Sequence, residues 1–289
     1  MMTIHDRTAP AFGPGGNSDE FRAAGKKSTK DAPAWLRETG LDAYEYEAGN
    51  GIAAGEATLR EIGAAAEKEG ILMSLHAPYF ISLSGVEEEK RLKSITYIED
   101  SLRAALCLGA RTIVVHTGSA GRIGRDEAMR LASDTLLRLA DRVGDTPVHI
   151  GLETMGKQNQ LGMLEEVITL CQLAPCFVPV VDFGHMNARE LGGLFRTADD
   201  YTRVFDRIGE ALGDDTARYL HCHFSKIEWT APGGEKRHLT FADEVFGPDP
   251  APLMQALARD RLCPTIICES AGTQSEDART MKALYAGLL

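Results

Sequence analysis

The chain has 289 residues, 44% hydrophobic and 25% charged, the composition of a globular protein able to bury a large core. Its 31 Lys and Arg against 42 Asp and Glu give a net charge of −11, which argues against a general polyanion binder unless charge is polarised to one face or bound cations invert the local field. No apolar run of about 18 residues and no N-terminal h-region is present, and the six scattered cysteines form no CxxC pair, so the expectation is a cytoplasmic protein with reduced, buried thiols, no membrane span and no signal peptide.

In chain order, short apolar runs alternate with amphipathic segments. APAFG (9–13) is the first expected strand, followed by a long loop, FGPGGNSDEFRAAGKKSTK, and a short helix, DAPAWLRETG. DAYEYEA (42–48) is the second strand, and the helix EATLREIGAAAEKEG (56–70) carries Leu59, Ile62 and Ala66 on one face before a C-capping Gly70. ILMSLHA (71–77) precedes a long helix over 87–109 that again closes on glycine; RTIVVHT (111–117) precedes GRDEAMRLASDTLLRLADRVG. VHIGLET (148–154) leads to LEEVITLCQLA, FVPVVDF (177–183) to TADDYTRVFDRIGEALG, YLHCHFS (219–225) to APLMQALARDR, and TIICES (265–270) to EDARTMKALYAGL. Eight strand–helix beats predict an α/β fold, a (β/α)8 TIM barrel, with residues 1–289 as a single domain. A doubly wound sheet usually brings a glycine-rich phosphate loop, and neither GxGxxG nor a Walker pattern occurs.

Functional groups of such a barrel sit at the C-terminal strand ends. Here those ends supply His76, His116, Glu153, Asp182 with His185 just beyond, His221 and His223, and Glu269; His238 follows in the loop after strand seven. Six of the eight histidines fall at or just after a strand end, leaving His5 near the terminus and His149 near a strand start. Singly, each is an ordinary hydrogen-bonded residue. Together, nine imidazoles and carboxylates on one rim would carry a large desolvation cost that bound cations offset. Mixed His and carboxylate donors suit zinc or manganese better than calcium or magnesium, and nine donors imply two or three ions with a carboxylate such as Glu153 bridging. Closely spaced ions suit phosphoryl chemistry, one generating the nucleophile and others holding the attacked phosphate and the leaving oxygen.

The segments SLHAPYFISLSG (74–85), VVHTG (114–118), GLETMGKQNQLG (151–162), VVDFGHMNA (180–188), HCHFSK (221–226) and CESAG (268–272) resemble, in order and spacing, the successive motifs of the endonuclease IV family of abasic-site endonucleases, within the xylose isomerase-like TIM-barrel superfamily. The resemblance runs from about residue 70 to the C-terminus. It implies a first zinc held by His76 and His116, Glu153 bridging to a second held by Asp182, His223 and Glu269, and a third held by His185 and His238. His223 is preferred to His221 because it stands nearer the strand end and at the family-like distance from His238; His221 is expected one layer deeper, as a hydrogen-bonded neighbour. Glu153 and Glu269 are the implied catalytic residues, Glu153 orienting the nucleophile and Glu269 accepting its proton. Tyr79 matches the aromatic residue that wedges into the duplex, and Lys157 and Lys226, with Arg122, Arg125, Lys236 and Arg237, crown the barrel where phosphates would lie.

The chain departs from the family in two places. Lys236 stands where the family has an aspartate two residues before the last histidine, so the third site needs Glu235 or Glu228 as a substitute ligand. The family's DNA-probing loop after strand two is not recognisable in YEYEAGNGIAAGE. The function implied is zinc-dependent hydrolysis of the phosphodiester 5′ to abasic sites in damaged DNA. One alternative is a single-metal isomerase or epimerase of a small, phosphorylated sugar, using Glu153, Asp182, His223 and Glu269; another is a degenerate barrel that binds without turnover. No protein partner is identifiable.

Overall fold

A computed structural model describes residues 7–121 and 123–289. Eight parallel strands form one sheet: β1 (Ala11–Pro14), β2 (Ala43–Glu47), β3 (Leu72–His76), β4 (Thr112–His116), β5 (His149–Glu153), β6 (Phe177–Asp182), β7 (His221–Phe224) and, after an antiparallel hairpin of β8 (Ile227–Thr230) and β9 (Gly234–His238), β10 (Thr265–Cys268). Their order is β1-β10-β7-β6-β5-β4-β3-β2, and the ends of this series curl together into a nearly closed barrel. Asp42 N–H donates to the Phe12 carbonyl and Gly16 N–H to the Glu45 carbonyl across the seam. Gly13 is required there, since a Cβ at that position would lie 1.8 Å from the Ala43 carbonyl oxygen.

The helices α1 (Asp19–Ala23), α2 (Ala32–Glu38), α3 (Glu56–Glu69), α4 (Glu88–Leu108), α5 (Arg125–Val143), α6 (Leu164–Cys171), α7 (Phe183–Arg189), α8 (Ala198–Leu212), α9 (Asp214–Arg218), α10 (Pro250–Asp260) and α11 (Gln274–Ala286) surround the strands. The stripe expected on α3 is the one buried, Leu59, Ile62 and Ala66, and Gly70 and Gly109 end their helices in the left-handed conformation at φ 70° and 66°. The main core lies between strands and helices, while Ala11, Ala43 and Ile267 form a small apolar cluster of their own. The expected loop of the first repeat contains α1, which Ser18 caps by accepting from Phe21 N–H at 3.1 Å and which buries Phe21 edge-on against Trp35. The hairpin, α7 and α9 are likewise additional to the sequence reading. Among the described residues no helix is long and apolar enough to cross a membrane. All six cysteines are unpaired, five of them buried.

Candidate metal centre

Parallel pairing sets the site. Strand register places His116 opposite Glu153, Asp182 opposite His223, and Glu47 opposite His76, so side chains of one strand face meet at the C-terminal mouth. Glu269 follows the last residue of β10. The expected end of strand six comes one residue early, because Asp182 turns the chain into α7: its Oδ1 accepts from His185 N–H at 2.7 Å, an N-cap that brings the His185 ring into the same cup.

Three groups of donors result, each with its ligand atoms within 4.8 Å of one another. The first is His76, His116 and Glu153; His76 Nε2 and His116 Nε2 lie 3.6 and 3.3 Å from Glu153 Oε2, and His76 Nδ1–H donates to the Ala77 carbonyl at 2.8 Å, which leaves Nε2 free to ligate. The second is Glu153, Asp182, His223 and Glu269, with His223 Nδ1 at 3.0 Å from Glu153 Oε1 and 3.4 Å from Glu269 Oε1. The third is His185, Glu235 and His238; His185 Nδ1–H donates to the Thr154 carbonyl at 3.0 Å and its Nε2 faces Glu235 Oε2 at 3.5 Å.

Glu235, one of the two substitutes open in the sequence, therefore occupies the third group. Glu228 is engaged elsewhere, pairing with Lys236 at 2.5 Å and Arg237 at 2.6 Å. The hairpin delivers Glu235 by docking on the loop after β5: Glu235 N–H donates to the Gly156 carbonyl and Gln158 N–H to the Gly233 carbonyl, both at 3.0 Å. A Cβ on Gly156 would meet Glu235 Cβ at 2.7 Å, so glycine is needed for this approach. Arg189 holds the same loop by donating to the carbonyls of Met155, Lys157, Gln158 and Gln160.

Electrostatics in the cup are unusual for a protein interior. Burial pushes the Glu153 carboxyl up, but the His223 charge, the hydrogen bond from His223 and the close approach of His116 and His185 overcome it and hold Glu153 well below the carboxylate range. Burial opposes charging of His76, yet Glu153 and Glu47 raise it to about 10. His185 and His223 are likewise raised against burial, chiefly by Asp182 and Glu235 for the one and by Glu269 and Glu45 for the other. Burial lowers His116 and His238. Burial, opposed by His223 and reinforced by Glu153 and Asp182, raises Glu269 to about 8. Despite these pairings, Glu153 Oε2, Asp182 Oδ2 and Glu235 Oε2 are buried with no hydrogen-bond partner. Orphaned carboxylate oxygens beside imidazole nitrogens are the donor set a divalent cation takes up, so the residues fit metal.

Strand two contributes two residues that the sequence reading passed over. Glu45 is fully buried and Glu47 stands at the mouth, and with Glu269 they form another carboxylate group. The signal was present: in DAYEYEA the alternation puts Ala43, Glu45 and Glu47 on one face. His221 lies deeper, as expected, its Nε2 2.9 Å from Glu45 Oε2. Tyr79 is 55% exposed at the edge of the cup, its ring centroid 5.0 Å from His76 and 5.5 Å from His116 and its hydroxyl donating to Glu47 at 3.3 Å.

The surrounding cations are more committed than their positions in sequence imply. Lys226 Nζ donates to the carbonyls of Phe241 and Asp243, and Arg125 pairs with Glu166 at 2.9 Å. Lys157 is exposed on the docked loop. Arg122 and His5 lie outside the described residues.

A family model described as xylose isomerase-like TIM barrel matches residues 33–285. The chain belongs to that family. An uncharacterized protein of Methanocaldococcus jannaschii is 29% identical over 255 residues, covering 86% of this chain and 88% of its own length. A probable endonuclease 4 of Acholeplasma laidlawii is 31% identical over 197 residues, 63% of this chain and 64% of that protein. Among solved structures, endonuclease IV from Thermus thermophilus superposes with a TM-score of 0.70 at 21% identity, covering 96% of this chain and 98% of the other. A D-tagatose 3-epimerase-like protein does so with a TM-score of 0.63 at 17% identity, covering 88% and 91%. The likeness to endonuclease IV expected from the motifs is thus matched in both comparisons, and epimerases share the barrel.

Proposed function

We propose that this family member is a zinc-dependent phosphodiesterase that hydrolyses the phosphodiester 5′ to abasic sites in DNA. One observation carries the reading. Each of the three donor groups contains a buried carboxylate oxygen with no hydrogen-bond partner, Glu153 Oε2, Asp182 Oδ2 and Glu235 Oε2. A one-metal isomerase needs only Glu153, Asp182, His223 and Glu269, and would leave His76, His116, His185, Glu235 and His238 without a use. The endonuclease 4 relatives supply the substrate class.

Divalent cations held here, zinc by the mixed nitrogen and oxygen donors, with manganese the alternative, would neutralise charge on a phosphoryl group and activate a nucleophile near neutral pH. The residues themselves organise the rest. Glu153 belongs to both the first and second groups and keeps them in register through its two oxygens. Glu269 would ligate in the second group through one oxygen and offer the other as the general base beside the attacked bond. Tyr79 offers its exposed ring at the cup's edge as a wedge, and Lys157 lies on the rim as a phosphate contact.

Sugar isomerisation has one observation in its favour: Glu47, beside Glu269, adds a carboxylate to a mouth that would have to admit a polyanion. The two readings separate on metal content and product. Elemental analysis should find two or three zinc equivalents per chain, and an abasic-site duplex should be incised on its 5′ side. Glu153→Gln should lower incision by at least about 10³-fold with the far-UV spectrum unchanged, since it disables a residue shared by two groups. A single manganese per chain with ketose epimerisation and intact duplex would reverse the assignment.

A further inference from the structure

Glu45 stands one layer below the donor groups, fully buried, on a strand that contributes no member to them. Its two carboxylate oxygens have different surroundings. Oε2 is saturated, accepting from Ser74 Oγ at 2.7 Å and lying 2.9 Å from His221 Nε2. Oε1 lies 2.8 Å from His223 Nε2, off the line of a good hydrogen bond, and these two atoms are buried without another partner. The opposite nitrogen of the same ring, Nδ1, makes the ring's hydrogen bond, to Glu153 Oε1 at 3.0 Å, and lies 3.4 Å from Glu269 Oε1.

A neutral imidazole carries one N–H, and the nitrogen without it is the one that can ligate. Carboxylates flank both ring nitrogens and can only accept, so once a cation takes the Nδ1 lone pair in place of the proton shared with Glu153, Glu45 Oε1 is the acceptor placed for the proton on Nε2. We infer that Glu45 is a positioning residue of the metal centre, setting the tautomer and ring orientation of His223 from beneath while Ser74 and His221 hold Glu45 itself in place. This rests on the reading of Glu153, Asp182, His223 and Glu269 as ligands. Glu45, His221 and His223 also lie close enough together to hold an ion of their own, but Oε2 is already occupied by two partners, which favours the hydrogen-bonded arrangement. Strand register supports the same design: Glu45 is paired with Ser74, one inward position below the Glu47–His76 pair, so β3 supplies the clamp for Glu45 and a member of the first donor group from one strand face.

The test uses the full chain loaded with zinc. Nitrogen-15 correlation spectra of histidine-labelled protein should show His223 with its proton on Nε2, shifted downfield by the carboxylate, and Nδ1 bearing metal. Titration against a chelator should show that Glu45→Gln weakens one zinc equivalent by about 10–100-fold while the remaining equivalents keep their affinity, and that Ser74→Ala weakens it less. Unchanged affinity in Glu45→Gln, or a proton on Nδ1 or a metal on Nε2 of wild-type His223, overturns the inference and leaves the metal centre standing. Wild-type protein that takes up no zinc on the Glu153–Asp182–His223–Glu269 group overturns both. The spectrum of the unsubstituted protein decides the matter even if the variants fail to fold.

Discussion

The outer helices and the cup at the barrel mouth use acidic residues in opposite ways. On the outside, Glu99 meets Arg142 through two hydrogen bonds of 2.8 and 2.6 Å, Glu165 meets Arg207 through two of 2.8 and 2.7 Å, and Glu88 meets Arg138 at 2.6 Å. These are guanidinium–carboxylate pairs in contact with solvent. Inside the cup, the ion pairs of Glu45, Glu153, Asp182, Glu235 and Glu269 among the described residues are all with histidines. The carboxylates raise His76, His185 and His223 against burial, but burial keeps His116 and His238 low, so the histidines match the cup's carboxylates only in part. The difference teaches that the outer charges are complete as they stand, whereas the inner ones call for a cation from solution.

The contrast is broken most severely by removing that cation. Chelation of the loaded protein should lower its melting temperature by several degrees, because a ligand present at about 100 times its Kd contributes about 2.7 kcal/mol; thermal scans with and without chelator measure this, and equal midpoints would mean the cup needs no ion. Arg189→Met should cost about 2–3 kcal/mol in denaturant unfolding, since four carbonyls of the 155–160 loop lose a charged donor at once.

Acidity gives a smaller effect, read as a difference between two metal-free proteins. Glu269 is raised to about 8 when folded, so between its unfolded value and 8 the unfolded carboxyl ionises while the folded one stays protonated. Its contribution is full below about 4.5 and is lost as pH rises through about 8. Wild-type protein should therefore lose stability relative to Glu269→Gln from pH 5 to pH 8, as followed by melting temperature; a constant gap would show that the carboxyl is not raised. At the other end, Arg207→Ala should change stability by less than about 1 kcal/mol, because its partner Glu165 is exposed.

Most of the barrel was legible because its signals are local. Alternation of apolar runs with helical stripes fixed the strands to within a residue or two, and glycines marked the ends of α3 and α4. That the expected ligands meet at one mouth was legible because a barrel gathers strand ends, which accounts for His76, His116, Glu153, Asp182, His223 and Glu269, whereas His185 arrives on α7 and His238 at the end of the hairpin. What escaped depends on three dimensions. Glu45 sits mid-strand, and its importance comes from His221 and His223 on a strand far away in sequence. Glu235 could be named as one of two substitutes, but only the docking of the hairpin on Gly156 distinguishes it from Glu228, which two neighbouring cations occupy. The availability of the rim cations, with Lys226 tied to two carbonyls, likewise depends on the folded loops.

Helix α7 is only two turns long, yet His185 and Arg189 lie on it four residues apart, and hence on one side of it. One reaches the third donor group while the other grips the loop on which the hairpin rests. One short rod thus ties the two together: the loop that carries the hairpin and an imidazole of the third donor group are anchored within four residues of each other, so a change at Arg189 falls on both.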